Sequence, residues 1–231
     1  MKLTQSIFLS ALAVALSVSA SAQTSAKTAN DLPDSPQATA AATTRPNGPT
    51  VVMDTSMGRI TCQFYQKQAP KAVANFIALA EGAKDWIDPV TRQKEHKPFF
   101  NGTTFHRVIP GFMIQGGDPT ATGMGGPGYR FSDELDPALN FDRPGRLAMA
   151  NSGPNSNGSQ FFITELAQPS LNHGYTLFGQ CDDASVKVVK AIARVRRDSN
   201  DKPLTPVVLK NVTIVREGQP MPAAPSSAAK P

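Results

Sequence analysis

Residues 105–119 read FHRVIPGFMIQGGDP. One arginine, one histidine, one glutamine and one acid sit there among large apolar side chains and a glycine pair. Thr104–Ile109 and Phe112–Gln115 read as short strands either side of Pro110-Gly111, because β-branched and aromatic residues dominate them. Arg107 and Gln115 are hard to file as core, since buried polar groups need partners. The stretch offers no nucleophile beside a base, as hydrolysis would need, and no lysine for a phosphate cradle.

Working outward, TVVMDTSMGRITCQFY (residues 50–65) predicts two strands around a turn at Ser56–Gly58. Ile60, Cys62 and Phe64 alternate there with Arg59, Thr61 and Gln63, the period of a half-buried strand. Further short strands are expected at Arg146–Ala150, Phe161–Thr164 and Tyr175–Cys181, with VVLKNVTIVR (207–216) last. APKAVANFIALAEG (69–82) reads as a helix, with Pro70 at its start, apolar Val73, Phe76, Ile77 and Ala80, and Gly82 to end it. DASVKVVKAIARV (183–195) is a second amphipathic helix, and KDWIDPVTRQKEHKPFFNG (84–102) a polar loop. Many short strands, Gly-rich turns and two helices predict an antiparallel barrel or sandwich.

The chain of 231 residues is 40% hydrophobic, which suits a globular core. Its net charge of +5 is dispersed, with Arg194, Arg196 and Arg197 the only local cluster. A nucleic-acid binder concentrates basic residues on one face with aromatics between them, so such a partner is not expected. Residues 1–22, MKLTQSIFLSALAVALSVSASA, read as a signal peptide: a lone Lys2, a short apolar run and an Ala20-Ser21-Ala22 cleavage pattern. The run is too short and too broken by serines to be a membrane anchor. An exported, soluble protein follows, periplasmic in a bacterial setting. Residues 23–48 and 218–231 are Ala, Thr, Ser and Pro-rich and read as a flexible linker and tail. One domain, 49–217, lies between them.

Other chemistries find little support. His96, His106 and His173 share no ligand spacing, so a zinc site is not expected. NGSQF around Ser159 lacks the G-x-S-x-G elbow, and GGDPTATGMGGPG has no G-K-[ST]. Besides the opening stretch, LAMANSGPNSNGSQFFI (147–163) also sets amides among Phe and Met on strand-like segments.

These two blocks resemble the cyclophilin family of peptidyl-prolyl cis–trans isomerases. FNGTTFHRVIPGFMIQGG (100–117) is similar to the family signature, and MANSGPNSNGSQFFI (149–163) to a second block. GMGGPGYRFSDE (123–134) and LFG (177–179) also have family equivalents. The resemblance covers about residues 51–215. It implies a closed eight-stranded antiparallel barrel capped by two helices, with the site on its outer face. By position it makes Arg107 the catalytic arginine. Phe112, Met113, Phe162 and Leu171 would form a pocket for the substrate's proline ring. Gln115 and the Ala150-Asn151 backbone would hold the peptide, with Gln160 beneath and Tyr175 at the rim. It implies no cofactor or metal, a monomer, and unfolded or Pro-containing polypeptides as partners. After leader removal no membrane is involved.

Rotation about a peptide bond breaks no bond but faces a barrier of roughly 18–20 kcal/mol. A donor aimed at the proline nitrogen, which regains its lone pair in the twisted state, favours that state over the planar one. An arginine, some amides and an apolar floor are therefore sufficient. The competing readings are a chaperone that holds proline segments with little turnover, which would not need the arginine, and a periplasmic hydrolase, which lacks its nucleophile. Two features stay open. Cys62 and Cys181 either form a disulfide, as export allows, or are buried apolar residues, as the parity of Cys62 suggests. ELAQPSLNHGYTLFG (165–179) carries Ser170 and Tyr175 where many family members have tryptophan and histidine. The rim therefore differs from the family's usual one.

Overall fold

The computed structural model describes residues 44–224; the expected signal peptide, most of the linker and the end of the tail lie outside them. Ten strands and two α-helices form in the described residues. The β-branched run β1 (Thr50–Thr55) turns back into β2 (Gly58–Phe64). Helix α1 (Pro70–Glu81) begins at Pro70, whose missing N–H is not needed in a first turn. It ends at Gly82, which adopts φ 72° and lets its N–H reach the Ala78 and Leu79 carbonyls. Residues 84–102, expected as loop, contain a small hairpin, β3 (Trp86–Ile87) with β4 (Lys94–Glu95). The Trp86 indole is buried edge-on against Phe99 and donates to the Lys97 carbonyl, which anchors an otherwise polar segment.

Next come β5 (Arg107–Ile109), β6 (Met113–Gly116), β7 (Arg146–Met149), β8 (Phe161–Thr164) and β9 (Leu177–Cys181). Helix α2 (Asp183–Ala193), N-capped by Asp182 through Ser185 N–H, precedes β10 (Leu209–Val215). Eight strands form one antiparallel sheet in the order β10-β1-β2-β9-β7-β8-β6-β5. The expected closed barrel is not found: the sheet curls into a half-barrel whose edge strands share no ladder. Strand β5 forms its ladder with β6. Instead the irregular residues before it meet the start of β10, with Gly102 N–H donating to Leu209 O, Leu209 N–H to Thr103 O, and Phe105 N–H to Val207 O.

Phenylalanines fill the concave face. Phe76 of α1 stacks on Phe100 and meets Phe64, Phe161 and Phe178 from the sheet, with centroids 4.5–5.8 Å apart throughout this cluster. Cys62 and Cys181, register partners across β2 and β9, are joined by a disulfide on this buried face. Both readings of Cys62 thus hold: it has a core position and it is bonded. Residues just before Pro49 are held to the sheet, with Asn47 and Gly48 N–H donating to the Phe64 carbonyl.

On the outer face the buried Arg146 donates to Tyr65 Oη and, with Arg143, to Asp142. Desolvation pushes the Asp142 carboxyl up, but the two arginines together outweigh it and bring it down to about 2. A carboxylate depressed below its unfolded value near 3.9 stabilises the fold above that value and loses the effect as pH falls. Urea midpoints of the protein and of Asp142→Asn should therefore differ at pH 6 and converge between about pH 4 and pH 2. A gap that stays constant over that range would show that Asp142 does not act through its charge.

Candidate active site

Strand register brings together residues that are distant in sequence. Side chains alternate between the faces of a strand, so register partners share a face. Arg107 on β5 lies opposite Gln115 on β6, Gln115 opposite Phe162 on β8, and Phe162 opposite Ala148 on β7. The row one step along, Ile109, Met113 and Thr164, points the same way. Their neighbours Val108, Ile114, Phe161 and Ile163 belong to the phenylalanine core. Alternation thus gives these strands two purposes: one face holds the fold, the other builds a site.

That outer face carries a second apolar cluster, in which Met113, Phe162, Phe141 and Leu177 are buried and Phe112, Ala150, Leu171 and Tyr175 are partly open. Phe141 stacks on Phe162 from behind, and Tyr175 stands edge-on to it at 5.3 Å and 86°. A cleft of about 520 Å³ opens over this floor. Arg107, Phe112, Met113, Gln115, Ala150, Asn151, Phe162, Leu171 and Tyr175 all line it. Gln160 does not. It lies in a neighbouring cleft of about 560 Å³ and is hydrogen-bonded to Gln115, Gly123 and Ala150, which line both. Ser170 is exposed in the 3-10 turn Pro169–Leu171 and is not among the residues that line the cleft.

The polar groups are held by their neighbours. Gln115 Nε2 donates to Gln160 Oε1 at 2.9 Å, and Arg107 Nη1 makes a long contact of 3.5 Å to Gln115 Oε1. The guanidinium therefore has donors free to face the cleft. The turn carrying Phe112 is pinned by Glu165, whose buried carboxylate accepts from Gly111 N–H and pairs with Arg194 at 2.6 Å. Gln168 Nε2 donates to the Gly111 carbonyl. Asn151 Nδ2 donates to the Gly174 carbonyl, tying the end of β7 to the rim.

Several lining residues were not legible beforehand. His106, Ala121, Thr122 and Gly123 form one side, and Asp198, Asn200 and Lys202 another. The second group sits on a loop joined to β5 by Val108 N–H donating to the Asp201 carbonyl. Burial lowers the His106 pKa; Asp118 opposes this, and Lys202 and Arg107 reinforce it. The imidazole next to Arg107 in sequence is thus disfavoured as a cation beside Arg107 and Lys202. Of the three clustered arginines, Arg194 pairs with Glu165 and Arg197 with Asp201.

A protein-family model described as "Cyclophilin type peptidyl-prolyl cis-trans isomerase/CLD" matches residues 50–214. The chain is 50% identical over 182 residues to peptidyl-prolyl cis-trans isomerase A of Mycobacterium tuberculosis, covering 78% of this chain and 95% of that one. It is 46% identical over 164 residues to peptidyl-prolyl cis-trans isomerase B of Streptomyces anulatus, covering 70% and 94%. A crystal structure of a Cryptosporidium parvum cyclophilin type peptidyl-prolyl cis-trans isomerase superposes with a TM-score of 0.63 at 36% identity, covering 73% of this chain and 98% of that one. A second structure of that protein was determined in the presence of the dipeptide Ala-Pro, with a TM-score of 0.62 at 36% identity and coverage of 71% and 98%.

Proposed function

The chain belongs to the cyclophilin-type peptidyl-prolyl cis–trans isomerase family, and we propose that Arg107 is its catalytic donor and the outer-face cleft its substrate site. The observation that carries this is the in-register row Arg107–Gln115–Phe162–Ala148 beside Met113, which sets one guanidinium at the edge of an apolar floor. A proline ring on Phe112, Met113, Phe162 and Leu171 would bring its nitrogen toward Arg107, while Gln115 and the Ala150-Asn151 backbone hold the chain. Arginine suits the task because it stays protonated and presents rigid donors. Lowering the barrier by about 7 kcal/mol would accelerate rotation on the order of 10⁵-fold. Proline-containing polypeptides are the substrates, a reading that the Ala-Pro dipeptide used with the C. parvum protein supports. Titrating ¹⁵N-labelled protein with an Ala-Pro peptide should shift the amides of Met113, Gln115, Asn151 and Tyr175. Shifts confined to another surface would contradict the assignment.

We also infer that residues 1–22 direct export to the periplasm and are removed, leaving residues 23–48 as a linker, and that the protein assists folding there as a monomer. The Cys62–Cys181 disulfide supports an oxidising compartment. Intact mass of the protein expressed with its leader in a bacterium should correspond to a chain starting at Gln23; an uncleaved Met1 would count against export.

The rim supports a further expectation about inhibition. The resemblance associates the usual rim tryptophan with tight binding of cyclosporin, and here the exposed Ser170 stands in its place. An indole offers roughly 150–250 Å² of contact, so its loss costs several kcal/mol at about 25 cal/mol per Å². The proline floor does not include Ser170, so turnover should be largely kept. Cyclosporin should inhibit poorly and Ser170→Trp should restore part of the sensitivity. Nanomolar inhibition of the unaltered protein would show that the rim binds by other means.

A further inference from the structure

The cleft's polar wall depends on a buried carboxylate outside it. Asp118 is 0% exposed, yet ionised: desolvation opposes the charge, and the hydrogen bonds it accepts together outweigh that cost. Its Oδ1 accepts from Thr120 N–H and Oγ1, each at 2.7 Å. Its Oδ2 accepts from Gly123 N–H at 2.7 Å, Gly125 N–H at 3.1 Å and Thr122 N–H at 3.2 Å. The whole loop 118–125 is thus wound around one side chain.

The same loop residues then face the other way. The carbonyls of Gly123 and Gly125 both accept from Gln160 Nε2, each at 2.9 Å. Two acceptors on one side of a side-chain amide fix which way round it sits. With both Nε2 hydrogens committed, Gln160 must turn Oε1 to Gln115 Nε2, and Gln115 must turn Oε1 to Arg107. A flipped Gln160 would set an NH₂ against the Gln115 NH₂ and reverse the end that meets the guanidinium.

We propose that Asp118 is a positioning residue for isomerisation, which acts through the loop 118–125 and the Gln160–Gln115 amide pair to orient Arg107. This rests on Arg107 being the catalytic donor. Asp118→Asn replaces an acceptor oxygen by an NH₂ at a point where only donors converge, so the loop must rearrange and release Gln160. Gly125→Ala reaches the same seat independently, because an added Cβ would collide with the Asp118 carboxylate.

The test is steady-state kinetics on an Xaa-Pro peptide for Asp118→Asn, Gln160→Ala and the double variant, with side-chain amide spectra of Gln115 and Gln160. Asp118→Asn should lower kcat roughly tenfold with little change in KM, and move both amide signals. The double variant should be no slower than the worse single variant, because both act along one path. Additive losses, unmoved amide signals or an unchanged kcat would overturn the proposal. Should Asp118→Asn not fold, Gly125→Ala carries the same predictions; failure of both to fold would assign Asp118 to the fold and overturn it too. An Arg107→Ala control separates the two claims: activity kept there contradicts the role of Arg107, whereas full activity in Asp118→Asn with Arg107 essential contradicts the role of Asp118.

Discussion

Arg107→Ala should lower kcat/KM on an Xaa-Pro peptide about 100- to 1000-fold, the range expected when one preorganised donor is removed. The effect is differential. A planar amide nitrogen has its lone pair delocalised and attracts a donor weakly, whereas the pyramidal nitrogen of the twisted state attracts it strongly. Binding should change far less, because the ring is held by Phe112, Met113 and Phe162, which the substitution leaves alone. Stability should also be nearly unchanged, since the one side-chain hydrogen bond of Arg107 among the described residues is the long contact to Gln115. Steady-state kinetics with a melting curve as control checks both halves. Activity close to that of the unaltered protein would remove Arg107 from the mechanism.

Breaking the Cys62–Cys181 disulfide should have the largest effect on stability. The bond closes a loop spanning 119 positions, and the chain-entropy model assigns about 5 kcal/mol to a loop of that length. That is comparable with the whole stability of many domains, about 5–15 kcal/mol. Urea midpoints measured with and without reductant, and for Cys62→Ala with Cys181→Ala, should fall steeply together. Turnover well below the transition should survive, because both cysteines face the phenylalanine core and not the cleft. Denatured, unreduced protein should titrate no free thiol. Equal midpoints under both conditions would show that the bond does not contribute.

How far the sequence foretold this differs from element to element, for physical reasons. Helix α1 was plain because Pro70, the apolar spacing and Gly82 all signal the same thing. Strand β8 matched its expected bounds because FFIT is β-branched and aromatic throughout. The β3–β4 hairpin was hidden, since only Trp86 of its four residues is buried and its neighbours are charged. Closure was overestimated because it depends on whether two edge strands meet in register, which no local pattern encodes. The expected site residues share one cleft, Gln160 excepted: strand alternation sorts Arg107, Met113, Gln115 and Phe162, whereas Leu171 and Tyr175 reach it from the irregular segment between β8 and β9. The loops 121–123 and 198–202 and the carboxylate of Asp118 were invisible for the opposite reason: loops have no period, and only the folded backbone shows what their N–H groups surround.

The Arg107 cleft should turn substrate over and do more than hold it. Exchange spectroscopy on an Xaa-Pro peptide in the presence of substoichiometric protein measures that directly, because cis and trans signals of the peptide are resolved while uncatalysed exchange takes tens of seconds or longer. Cross-peaks between the two forms should appear on a sub-second timescale with the unaltered protein and vanish with Arg107→Ala, while the peptide still shifts the same amides in both. Peptide binding by the unaltered protein with no exchange cross-peaks would make it a holder of proline segments and contradict the account.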